Sequence, residues 1–279
     1  MTAKFDHVFS GISVWIEPDP EDSSHLLSEM EHLRTRCGGS EAGLYPFVPH
    51  CTLLYNTSLP DSDVDGCNQT RQQQGESLLR QCLEEYRKQQ VMQKFDDNQD
   101  EAQEITNNDI NQLQLIPTSH YYFPYPKTAD NGKGFGCCIS LLILETTPRL
   151  KLLHDIVRNI FPPDERHGDD ASSSSNDTNG GEADGDGPPR FRPHMALVYA
   201  PEKQQNIING WLEKYTLQNE EEKLYEKWAS ARHNDQSMSN NDREQHVACW
   251  KAKYLSLWSN EGTLDEWYPI CKLDLDREI

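Results

Sequence analysis

The chain has 279 residues, a hydrophobic fraction of 35% and a mean hydropathy of −0.82. That length suits one large domain with a substantial core, while the low hydropathy requires polar insertions between the packed pieces. The formal net charge of −20 argues against a long polyanion as the natural partner, because such binding needs clustered Lys and Arg, and no basic run exceeds Arg87-Lys88.

No stretch approaches the roughly 18 apolar residues of a membrane span, and Met1 to Gly11 lacks a signal sequence. A cytoplasmic location is expected, with a nuclear one left open. The eight cysteines are scattered, and Cys137-Cys138 sits inside an apolar run, so they read as reduced, buried thiols.

In chain order, Ser10 to Glu17 reads as a strand closed by Pro18 and Pro20. Asp22 to Cys37 reads as a helix, with Leu26, Leu27, Met30 and Leu33 at helical spacing and Gly38-Gly39 as its stop. A strand with a central histidine follows, then a loop over 61–66 and a helix from Gly75 to Phe95. Residues 96–111 read as a polar insertion.

Leu113 to Phe123 reads as a strand, and Phe135 to Leu144 as a central strand apolar on both faces. Thr147-Pro148 opens a helix to Ile160. Residues 164–189, rich in Ser, Asp and Gly, read as a disordered acidic insertion. A second histidine strand precedes a helix running to Tyr215, a further polar helix over 220–232 and a polar loop over 233–245. Trp250 to Trp258 and Trp267 to Leu275 read as closing strands around an Asn260-Glu261-Gly262 turn.

The two histidine strands repeat one pattern. Phe47-Val48-Pro49-His50-Cys51-Thr52-Leu53-Leu54-Tyr55 aligns with Phe191-Arg192-Pro193-His194-Met195-Ala196-Leu197-Val198-Tyr199, giving F-x-P-H-x-[T/A]-L-x-Y. Each Pro fixes its own φ and extends the residue before it, and β-favouring side chains follow. Strand alternation puts His50 and Thr52 on one face, and His194 and Ala196 likewise. It turns Cys51 to the other face, as a packing residue. By the same parity Tyr199 faces away from His194 unless the strand bulges.

Two imidazoles facing one substrate suit acid/base chemistry on a phosphodiester, since one takes a proton while the other gives one. No H-E-x-x-H, Cys-x-x-Cys or His-rich cluster supplies further metal ligands, so neither a metal nor another cofactor is expected. His120, His154 and His246 lack the surrounding pattern and read as structural or surface residues.

With these pieces in order, the chain resembles the 2H phosphoesterase superfamily, most closely the plant- and fungal-type cyclic phosphodiesterases. The matching segments are Ser13-Val14-Trp15, Phe47 to Thr52, Leu141 to Pro148, Pro193 to Ala200, Leu255 to Trp258 and Leu264 to Leu273. The resemblance implies a two-lobed α+β fold, with antiparallel sheets lining a central cleft and helices outside, formed as one bilobal domain over 1–279.

It also implies metal-independent opening of small cyclic phosphates: ADP-ribose 1″,2″-cyclic phosphate to the 1″-phosphate, and nucleoside 2′,3′-cyclic phosphates to 2′-phosphates. His50 and His194 are the implied catalytic pair, with His194 as base and His50 as acid. Thr52 would hold a phosphate oxygen. Trp15 and Tyr199 are carried over as cleft residues, Trp15 to stack on a base and Tyr199 to donate to phosphate. The second motif departs from the family, with Ala196 where a Ser or Thr is usual. The expected partner is a small nucleotide cyclic phosphate bound by a monomer, with no long nucleic acid and no membrane. An RNA-end-processing 2H enzyme and a non-catalytic nucleotide-binding relative are the alternatives.

Overall fold

The structure, a computed structural model, describes residues 11–59, 70–97, 113–124, 137–161, 191–201, 204–210, 249–262 and 264–277. Of the insertion expected at 96–111, residues 96 and 97 belong to a helix and 98–111 lie outside the described residues, as do the insertions expected at 164–189 and 233–245, the loop expected over 61–66, the end of the helix expected to run to Tyr215, the helix expected over 220–232 and His246. The fold is α+β. Its strands are β1 (Ile12–Pro18), β2 (Cys51–Thr57), β3 (Gln114–Leu115), β4 (Pro117–Pro124), β5 (Cys137–Leu144), β6 (His194–Pro201), β7 (Trp250–Ser259) and β8 (Tyr268–Asp274). Its helices are α1 (Ser24–Arg36), α2 (Arg71–Asp97) and α3 (Pro148–Ile160), and residues 205–210 are also helical. None of the described helices is long and apolar enough to cross a membrane.

The strands form one eight-stranded antiparallel sheet rather than separate sheets. Its order is β3-β7-β1-β2-β6-β5-β4, with β8 also on β7. The two halves of this path are joined at β2 and β6 by a single pair, Cys51 with Met195. Each half contains an antiparallel pair connected through a helix: β1-α1-β2 and β5-α3-β6. The helices cross the junction. α1 leaves the first pair and packs on β6, whereas α3 leaves the second pair and packs on β2. This exchange ties the halves together where the backbone ladder is thinnest.

Alternation along β1 sorts the two faces of the sheet. Ile12, Val14 and Ile16 enter the main core with Leu26 and Leu33 of α1, Leu79 and Leu83 of α2, and Leu153 and Ile156 of α3. Ser13, Trp15 and Glu17 point to the opposite face and are nevertheless buried. α3 begins as its sequence requires, with Pro148 in the first turn and the Thr147 hydroxyl accepting from the Leu150 amide at 3.2 Å. α2 starts four residues before the expected Gly75.

Candidate functional site

Cys51 and Met195 each directly follow a motif histidine, so the junction pair places both histidines at the seam. The antiparallel register set by this pair puts His50 across from Ala196 and Thr52 across from His194. The Nδ1 of His50 lies 2.7 Å from the Val48 carbonyl oxygen, and the Nδ1 of His194 lies 2.9 Å from that of Arg192. A carbonyl only accepts, so each Nδ1 carries the proton and donates it. In both neutral rings Nε2 is then the unprotonated nitrogen, available to take a proton. The intervening Pro49 and Pro193 hold the chain in the conformation that returns the preceding residue's carbonyl to the ring.

The surroundings of the two rings differ. His50 is 4% exposed, whereas His194 is half-buried. Burial pulls the His50 imidazole down to about 3; the bond to Val48 opposes this, and the charges of His194 and Lys272 add to it. Burial therefore favours the neutral ring at pH 7 in the free site. Cys51, fully buried on the other face, is a packing residue, and burial pushes its thiol up to about 12.

The expected role of Trp15 as a platform for a base is not what the free site presents. Its ring stacks on His50 with centroids 3.5 Å apart and planes 8° apart, and on Trp258 at 4.5 Å and 22°. Two rings so close to one centroid fit only on opposite faces. Trp15 is thus sandwiched, and at 2% exposure it has no open face to offer a base. Thr52 pairs directly with Trp15 across β1 and β2 and shares its face.

Tyr199 lies on the site face because β6 does bulge. Ser140 pairs with Val198 but Leu141 pairs with Ala196, so Leu197 is an extra residue. Leu197 and Val198 both enter the main core, and Tyr199 swings round beside Ala196. The first motif carries the same device. Trp15 pairs with Thr52 and Val14 with Leu54, making Leu53 the extra residue. The Leu of the repeated pattern marks the bulge in both copies. Tyr199 then meets Phe47 at 5.2 Å and Trp267 at 6.3 Å, and Trp267 reaches Trp15 at 5.7 Å.

Internal symmetry makes Leu141 the counterpart of Trp15, since each pairs with the sixth residue of its motif. Where the first half has Trp15 and Thr52, the second has Leu141 and Ala196. Ala196 is 6% exposed within an apolar cluster with Leu141, Phe47, Ile143 and Tyr199. The missing hydroxyl therefore belongs to a patch in which the Tyr199 ring is the one side chain with a polar group.

Sequence reasoning overlooked a polar group behind Trp15. The buried Glu17 carboxylate accepts from Ser256 Oγ at 2.5 Å, Trp258 Nε1 at 2.8 Å and Lys272 Nζ at 2.6 Å. Alternation in Ser13-Val14-Trp15-Ile16-Glu17 was the available signal. His154 stacks on Phe191 at 4.0 Å and bonds Asp155 at 2.9 Å, away from the seam, as a structural histidine. Among the described residues, no three His, Cys, Asp or Glu side chains cluster as a metal site requires. The chain matches no family model and no curated protein.

Proposed function

We propose that the chain is a two-lobed 2H-type phosphoesterase that opens small cyclic phosphates without a metal, using His50 and His194 as the proton-transferring pair. The observation carrying this reading is the matched geometry of the rings. Both fix Nδ1–H on the carbonyl two residues upstream, and both flank the single pair that joins the two halves of the sheet. Each Nε2 is thereby committed to proton exchange.

In the proposed reaction water attacks phosphorus in line. Its proton passes to the neutral Nε2 of one histidine, the bond to the departing ribose oxygen breaks, and that oxygen takes a proton from the other, as imidazolium. Burial keeps His50 in the neutral form, the form that takes a proton, so His50 is assigned as the base and His194 as the acid, opposite to the assignment drawn from the family's products. The negative phosphate offsets part of the burial effect, bringing His50 closer to a useful base strength. Thr52 donates to a non-bridging oxygen. Tyr199, which shares the site face, is assigned the same role.

The substrate class is a nucleotide cyclic phosphate, handled by a monomer in the cytoplasm. The apolar setting of Ala196 favours one second reading, a nucleotide-binding relative without turnover. Incubation with a nucleoside 2′,3′-cyclic phosphate in the presence of EDTA separates the two. Accumulation of the 2′-phosphate supports the enzyme, and binding without product supports the second reading.

A further inference from the structure

A row of cross-strand partners, Lys272–Ser256–Trp15–Thr52, runs over β8, β7, β1 and β2 towards the seam. Its side chains share the face that carries the histidine pair. At the far end lies the Glu17 carboxylate, which is 6% exposed and takes three donors from two strands. Such a group is costly to bury unless every bond is made, and all three donors are held on neighbouring strands.

One of these donors is the indole N–H of Trp258. That bond, together with Ser256 Oγ at 3.0 Å from the same nitrogen, fixes how the indole is turned in its plane. The Lys272 ammonium sits 4.8 Å above the Trp258 ring, on the outside of the stack. The order of contact is therefore Lys272 and Glu17, then Trp258, then Trp15, then His50.

We propose that Glu17 is a positioning residue for His50, acting through the Trp258–Trp15 stack and held in place by Lys272. Among the described residues the His50 ring has one hydrogen-bond anchor, at Nδ1, which by itself does not fix rotation about the line to Val48. The flat face of Trp15 restrains that rotation, and the tilt of Trp15 is set in turn by Trp258 stacked against it, with Trp267 as a more distant, tilted neighbour. The consequence for turnover rests on the two-histidine reaction proposed above. The placement of the ring does not depend on it.

The test uses the full chain with Glu17→Ala, Trp258→Leu and Trp258→Phe. A ring 3.5 Å from an indole face has its carbon-bound protons shifted strongly upfield, so proton NMR of His50, assigned by difference against His50→Ala, reads the stack directly. Glu17→Ala and Trp258→Leu are expected to move those resonances towards their unstacked positions. Trp258→Phe, which restores a flat ring without the N–H, is expected to bring them part of the way back. On a 2′,3′-cyclic nucleotide, kcat should fall on the order of tenfold to a hundredfold in the first two variants, with KM changed less than about twofold.

If Glu17→Ala does not fold, the two Trp258 variants decide. Unmoved His50 resonances in Trp258→Leu, or in a folded Glu17→Ala, overturn the proposal. A wild-type chain without turnover overturns the functional reading instead, and the resonances still judge the positioning.

Discussion

Cys51 pairs with Met195, and this one pair is all that joins β2 to β6 in the sheet. The two residues are also the ones that follow the motif histidines. A thin backbone seam flanked by two histidine rings places those rings on different halves of the sheet. Small relative movements of those halves then change the separation of the rings. The crossed packing of α1 on β6 and α3 on β2 limits such movement.

Neutral burial of His50 has a signature in stability. Its folded-state value, about 3, lies below the ordinary 6.5, so between these values the unfolded chain binds the extra proton. Stability is fully present above pH 6.5 and is lost as pH falls towards 3, at up to about 1.4 kcal/mol per pH unit from this group. His50→Gln should remove that part of the slope. Urea titrations of wild type and variant at pH 7, 5.5 and 4.5 check it, and identical slopes would show that His50 titrates normally in the folded chain.

Ala196→Ser places a hydroxyl among Leu141, Phe47, Ile143 and Tyr199. Without a partner that hydroxyl costs about 1–3 kcal/mol, and a gain in turnover requires it to reach the phosphate. The expected outcome is a lower melting temperature with turnover raised only if Tyr199 leaves room. Thr52→Ala should be the harsher change for activity, roughly a hundredfold or more, because no second motif hydroxyl remains. Equal kcat in wild type and Thr52→Ala would mean that other groups hold the phosphate.

Gly75 lies inside α2, where Ala is normally the better helix former by about 1 kcal/mol. Here an added Cβ would stand 2.8 Å from Leu257 Cδ2 and 2.9 Å from Cys271 Sγ. Both neighbours are buried in β7 and β8. Overpacking of this kind costs about 1–3 kcal/mol, so Gly75→Ala should destabilise rather than stabilise. Thermal unfolding of the variant gives the sign.

Much of the fold was legible because the signals were local. The helix at Pro148 carries its own cap, the helix at Ser24 its apolar spacing, and most strands fall within a few residues of their expected ends. The two histidines and Thr52 were found because strand alternation holds from His50 to Thr52. It fails one residue later, at the Leu53 and Leu197 bulges, which are set by how β1 and β5 pair and not by the spacing along the strand itself. That is why Tyr199 reads from sequence as facing away. Trp15 was located, but its sandwich between His50 and Trp258 depends on β7 lying beside β1. Glu17 and Lys272 are 255 residues apart, and only the pairing of β1 and β8 with β7 brings their charges to 2.6 Å.

The central claim is that His50 and His194 exchange protons with a cyclic phosphate without help from a metal. The most direct measurement is turnover of ADP-ribose 1″,2″-cyclic phosphate in excess EDTA by wild type, His50→Ala and His194→Ala, with folding of each checked by thermal melt. The account predicts steady conversion to the 1″-phosphate by wild type and a fall of roughly 10²–10⁴-fold in each variant. Turnover abolished by EDTA and restored by a divalent ion, or a folded variant as fast as wild type, would contradict it.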